Sequence, residues 1–95
     1  MVFLGMPKCF KIGGYTVYFW ADDGSEPIHV HVSKKTSSNA TKIWLLSDGN
    51  VLLCHNKSRI KRHELNNIME IVRMNYRSIV VQWCTYFSCG ARFYI

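Results

Sequence analysis

One change of rhythm constrains this chain more than any other feature. Up to His55 its apolar residues come in short runs separated by turn residues, and beyond His55 they recur at three- and four-residue steps. Leu65, Ile68, Met69, Val72, Tyr76, Ile79, Val80, Trp83 and Phe87 form the single apolar stripe of helical structure. A chain that spells strands first and helices second belongs to the α+β class.

The strands can be placed from the turns between them. Lys8 to Trp20 holds two β-rich runs around Gly13-Gly14, which predicts a hairpin. Asp22 to Pro27 is rich in reversal-forming residues and predicts a loop. In Ile28-His-Val-His-Val-Ser33 the side chains alternate, so Ile28, Val30 and Val32 are expected to face the core and His29, His31 and Ser33 the other side. Lys34 to Asn39 is polar and predicts a loop; Ala40 to Leu46 and Val51 to His55 predict two strands joined at Asp48-Gly49.

A single helix over residues 61–87 would be about 40 Å long at 1.5 Å per residue, against a radius of gyration of about 13 Å for a domain of this size. A break near Asn75 is therefore expected. The predicted architecture is a small antiparallel sheet, a hairpin plus two or three further strands, covered on one face by two C-terminal helices. Gly90 is expected to end the helical part and Ala91 to Ile95 to return as a short edge strand. Residues 1–95 are read as one domain, with 1–5 a short N-terminal extension.

Composition enters as a check on that reading. With 48% apolar and 14% aromatic residues the chain can build a core, which excludes intrinsic disorder. It has no apolar run of the roughly 18 residues a spanning helix needs, so no membrane partner is expected. The N-terminus lacks the charged start and apolar stretch of a secretory signal, so a cytoplasmic location is expected. Cys9, Cys54, Cys84 and Cys89 are then expected as free thiols, mostly in the core, and none forms a Cys-x-x-Cys pair. No phosphate-cradling glycine loop, nucleophile elbow or cofactor motif is present.

A net charge of +6 fits attraction to nucleic acid, to an anionic membrane face or to an acidic protein, and charge alone does not choose among them. Lys57, Arg59, Lys61, Arg62 and His63 cluster at the entry to the first helix, where the macrodipole disfavours cations. A sequence that accepts this cost can be using the charges to hold phosphates or an acidic partner. Arg73 and Arg77 share a helix edge with Arg62 and join the candidate binding set, although Glu70 can pair with Arg73 at i,i+3. Among the aromatics, Trp44 and the Tyr15 to Trp20 group could stack bases, whereas Trp83 on the apolar stripe is expected in the core.

His29 and His31 are the sharpest local feature, because two imidazoles two residues apart on a strand project from one face at about 7 Å spacing. Three readings stay open. They could divide general base and general acid duties in metal-free phosphodiester cleavage. They could ligate zinc or another transition metal if Glu26, His55 or His63 supplied a third ligand. Or they could be hydrogen-bonding members of a polar sheet face. Asp22, Asp23 and Glu26 lie just ahead of them, either orienting the rings or forming a solvated turn. His29 and His31 are taken as the candidate catalytic pair, without metal or cofactor.

Asp22-Asp-Gly-Ser-Glu-Pro-Ile-His-Val-His-Val32, preceded by Met6-Pro-Lys and Gly14-Tyr, resembles a family of small bacterial proteins grouped as domain of unknown function 4160. The later pieces of that pattern are Ala40-Thr-Lys-Ile-Trp-Leu45, Glu64-Leu65, Ile68, Asn75, Trp83 and Tyr86-Phe87. Two positions depart from it: Ile28 stands where the family has a second proline, and Lys61 where a capping Ser or Thr is common. The resemblance implies a setting like that of toxin–antitoxin modules, with a small cognate antitoxin as partner and a toxin-like protein acting on RNA or translation. On that footing the leading expectation is an RNA-directed protein in which His29 and His31 react or bind and Lys57, Arg59 and Arg62 hold backbone phosphates. The alternative is a non-catalytic adaptor or inhibitor from a phage or mobile element, of the anti-CRISPR or anti-restriction type, docking on a nucleoprotein or acidic protein. Whether the chain is an enzyme, and its oligomeric state, stay open.

Overall fold

Glycine places the first reversal. Gly13 takes φ +55°, which a residue without Cβ adopts at no steric cost, and so β1 (Lys8–Ile12) folds back onto β2 (Tyr15–Tyr18). Gly49, at φ +91°, does the same between β4 (Thr41–Leu45) and β5 (Val51–His55). Between the hairpins lies β3 (His29–Ser33), and the five strands form one antiparallel sheet in sequence order. These relations come from a computed structural model that describes residues 8–34 and 39–95. The N-terminal extension expected at 1–5 and positions 35–38 of the predicted polar loop lie outside the described residues.

The helical half breaks where the length argument requires. α1 (Arg62–Met74) and α2 (Tyr76–Phe87) meet at Asn75, whose backbone N–H and side-chain Nδ2 both donate to the Ile71 carbonyl, at 3.1 and 2.8 Å. The side chain thus competes for a carbonyl of the preceding turn. Leu65, Ile68, Val72, Ile79 and Trp83 bury the predicted stripe against Val17, Val30, Val32, Ile43 and Leu45 of the sheet, with Phe19 and Ile28. No helix among the described residues is long and apolar enough to cross a membrane.

Three expectations are corrected. α2 ends at Phe87, and its C-cap Ser88 takes the left-handed conformation while the Cys89 N–H reaches back to the Cys84 carbonyl, so the stop precedes Gly90. Residues 91–95 form no strand; they run as an extended strap, bonded at Ile28 N–H to the Arg92 carbonyl and at Ser47 N–H to the Ile95 carbonyl. The thiols are free but not mostly core: Cys54 and Cys89 are exposed, Cys9 and Cys84 half-buried.

The largest departure concerns the second face of the sheet. Val30 and Val32 meet the helices as the alternation requires, but His29 is completely buried and Ser33 nearly so. For His29 the reason is long-range. The connection from Trp20 to Pro27 folds over the start of β3, and the C-terminal strap lays Tyr94 flat on Trp44 with ring centroids 4.9 Å apart. A face that alternation assigns to solvent is roofed by two segments without regular strand structure.

Candidate functional site

Among the described residues, two places bring chemistry-bearing side chains together, and the first is under the roof. Asp23 opens a short 3-10 turn, Asp23–Ser25, and its Oδ2 accepts the Trp20 N–H at 2.7 Å, which aims the carboxylate inward. His29 Nε2 lies 3.1 Å and His31 Nε2 3.2 Å from that same oxygen. Neither approach has hydrogen-bond geometry, and both Nε2 atoms are buried with no hydrogen-bond partner among the described residues. His29 Nδ1 is 2.9 Å from the Pro27 carbonyl oxygen. A carbonyl only accepts, so Nδ1 carries the proton and a neutral His29 presents a lone pair at Nε2.

Aromatic rings wall this cluster. His29 stands edge-on to Trp44 and Trp83, at centroid distances of 5.6 and 5.4 Å, and His31 lies 5.6 Å from Tyr18. Burial pushes the Asp23 carboxyl up, but the attraction of the two imidazoles when they are protonated, together with the Trp20 amide, outweighs it and holds the group well below the ordinary carboxylate range. The Asp23 side chain is 8% exposed, that of His31 14%, and that of His29 not at all.

Of the acidic residues the sequence groups together, only Asp23 joins the histidines. Glu26 turns to Lys42, with Oε1 2.6 Å from Nζ, and Asp22 is exposed. Nor do the other imidazoles complete the cluster. His63 is exposed on the first turn of α1, and His55 stands on β5 beside Lys42, its pKa lowered by burial and by the charges of Lys57 and Lys42.

The second place is the basic loop between β5 and α1. Asn56 organises it: Oδ1 accepts the Ile60 N–H at 3.0 Å and the Thr41 hydroxyl at 2.6 Å, while Nδ2 donates to the Ile60 carbonyl at 2.8 Å. These bonds hold Arg59 at φ +58°, a left-handed conformation that costs a residue with a Cβ about 1–2 kcal/mol. Lys61 then caps α1 with no side-chain bond. Arg59, Lys61 and Lys34 line a groove of about 430 Å³, together with Tyr15, Ser33, Asn39, Ser58 and Glu64. The Glu64 carboxylate there accepts a 3.0 Å bond from the Tyr15 hydroxyl.

The structure divides the predicted basic set. Arg59 and Lys61 face this groove, whereas Arg62 lines a separate hollow with Asn66 and Met69. Arg73 is engaged by Glu70, and Arg77 and Lys57 are exposed outside the groove's lining. Of the aromatic candidates, Tyr18 and Phe19 are fully buried, Trp83 lies in the core and Trp44 is covered by Tyr94. Lys34 is not among the binding residues that the sequence singles out, and Tyr15 is there only as an aromatic that could stack bases; the pairing of β2 with β3 brings both opposite the basic loop.

The pattern of the family described as Domain of unknown function (DUF4160) matches residues 14–84. The chain belongs to this family. The DUF4160 span runs from the first glycine turn into α2, so it contains Asp23, His29, His31 and every residue lining the basic groove, and it stops short of the C-terminal strap. No curated protein and no solved structure matches the chain.

Proposed function

We propose that this DUF4160 protein is a cytoplasmic RNA-binding protein that grips the phosphate backbone of single-stranded RNA in the groove lined by Lys34, Arg59 and Lys61. The observation that carries the reading is the convergence of three cations on one groove of ligand size, at a loop held in place by Asn56. Phosphate contacts of this kind supply affinity without sequence information. Tyr15 offers an aromatic surface in the same groove, where an unstacked base could lie, which favours a single strand over a duplex. A preordered loop loses little entropy on binding, a reason for the chain to tolerate a left-handed arginine.

His29 and His31 enter this function from the interior. A general acid or base has to come within hydrogen-bond reach of the reacting group, and the His29 ring has no exposed surface. The proposal is therefore one of RNA binding, with toxin-like action on translation by occupancy of the RNA.

The test is fluorescence anisotropy with a labelled single-stranded RNA. Arg59→Ala/Lys61→Ala is expected to weaken binding at least tenfold at low salt, and Arg73→Ala, whose side chain is already paired with Glu70, to leave it near parental. Equal affinity in parent and double variant would overturn the assignment of the groove.

A second reading is favoured by one feature of α2. Val81 and Tyr86 are 63% and 44% exposed beside a hollow of about 310 Å³ that Phe19 and Lys8 also line. Such a largely apolar surface suits a protein partner, either a cognate antitoxin or the target of a non-catalytic inhibitor. Val81→Asp would then abolish a complex with that partner while leaving RNA binding intact.

A further inference from the structure

We infer that Asp23, His29 and His31 form a binding site for one divalent transition-metal ion of the zinc class. Two donors that each sit about 2.0–2.1 Å from a tetrahedral ion lie roughly 3.3 Å apart. Asp23 Oδ2 is 3.1 Å from His29 Nε2 and 3.2 Å from His31 Nε2, and ligand atoms of all three residues fall within 4.8 Å of one another. The three donors are therefore spaced to share an ion without a change of fold.

The second observation is electronic. His29 Nδ1 donates to the Pro27 carbonyl, so in the neutral form of the ring the lone pair of Nε2 faces a carboxylate oxygen. Two electron-rich atoms at that distance repel unless a cation lies between them or the ring takes a second proton. Both Nε2 atoms are buried without a hydrogen bond among the described residues, and the His29 side chain has no exposed surface. Left unmet, a buried polar atom of this kind costs about 1–3 kcal/mol.

The surroundings also match what a bound ion needs. A ligating histidine characteristically donates its other ring N–H to a backbone carbonyl, and a ligating carboxylate is itself hydrogen-bonded. His29 has the first through Pro27 and Asp23 the second through the Trp20 N–H, which leaves another Oδ2 lone pair for the ion. Imidazole and carboxylate together suit zinc and its neighbours in the first transition row better than magnesium or calcium. His31 and Asp23 retain 14% and 8% exposure, so the ion enters from their side and keeps a water as its fourth ligand. Bound there, it would pin the 3-10 turn to β3. This inference stands apart from the groove, whose occupant it leaves untouched.

The test uses the full chain, treated with EDTA, dialysed and titrated with zinc chloride alone. In the parent protein, long-range proton–nitrogen spectra of the imidazoles are expected to show the Nε2 resonances of His29 and His31 moving to saturation at one equivalent, with those of His55 and His63 unmoved. Asp23→Asn, which keeps the side chain's size, should weaken zinc binding by roughly tenfold or more, and His63→Ala should not change it. The inference fails if His29 and His31 do not respond, if only His55 or His63 does, or if folded Asp23→Asn binds zinc as the parent does. Should Asp23→Asn not fold, the parent spectra decide.

Discussion

Replacing His29 with alanine removes a ring that has no exposed surface and touches Trp44, Trp83 and His31, with centroids 5.6, 5.4 and 4.9 Å away. It also strips the Pro27 carbonyl of its donor and takes one of two imidazoles from the buried Asp23 carboxylate. Truncating a fully buried ring to alanine costs about 3–5 kcal/mol, as for a buried Phe or Trp, against a total of about 5–14 kcal/mol for a domain of this length. At about 4 °C or more per kcal/mol, His29→Ala is expected to melt roughly 12 °C or more below the parent. His63→Ala, on the exposed first turn of α1, supplies the comparison at under about 0.5 kcal/mol. Thermal melting by circular dichroism, with EDTA present so that bound metal does not contribute, reads both variants. If His29→Ala melts within about 4 °C of the parent, the ring is not held as described and the burial argument fails.

Burial pushes the Cys9 thiol up to about 12, while Cys54 and Cys89 are exposed; a disulfide reagent at pH 8 should modify the latter two in the native protein, with four thiols found only after denaturation. Mass spectrometry placing the first modification on Cys9 would contradict this. A Cβ on Gly24 would meet the Phe87 ring at 2.7 Å, so Gly24→Ala is expected to cost about 1–3 kcal/mol, and an unchanged melt would show that the ring gives way freely. Asn56→Ala removes bonds to Ile60 and Thr41 and is expected to cost about 1–3 kcal/mol and to weaken RNA binding together; retained affinity would detach the loop's order from its function.

Most of the fold is legible in local signals of the sequence. Gly13 and Gly49 mark the hairpins, and the stripe from Leu65 to Phe87 marks the helices. The break at Asn75 follows from helix length against domain size. What was hidden depends on contacts between distant parts of the chain. Alternation correctly put His29 opposite Val30, yet nothing nearby in the sequence says that residues 20–27 and Tyr94 cover that side. Asp22, Asp23 and Glu26 look equivalent on paper; the 3-10 turn and the Trp20 N–H select Asp23. The C-terminal run Ala91 to Ile95 reads as strand because its aromatic and β-branched residues suit one, but its backbone bonds go to Ile28 and Ser47 and not to a ladder.

The salt dependence of RNA binding tests the central claim most directly. Three groove cations displacing counterions from a single strand give a slope of log affinity against log salt of about −2, so a fourfold rise in salt weakens binding roughly 18-fold. Arg59→Ala/Lys61→Ala leaves Lys34 as the remaining cation among the described residues of the groove, for which the slope is about −0.7 and the loss roughly threefold. A parent slope near −2 that flattens in this way is the predicted result; a slope near zero, or one that the double variant leaves unchanged, would contradict phosphate binding in the groove.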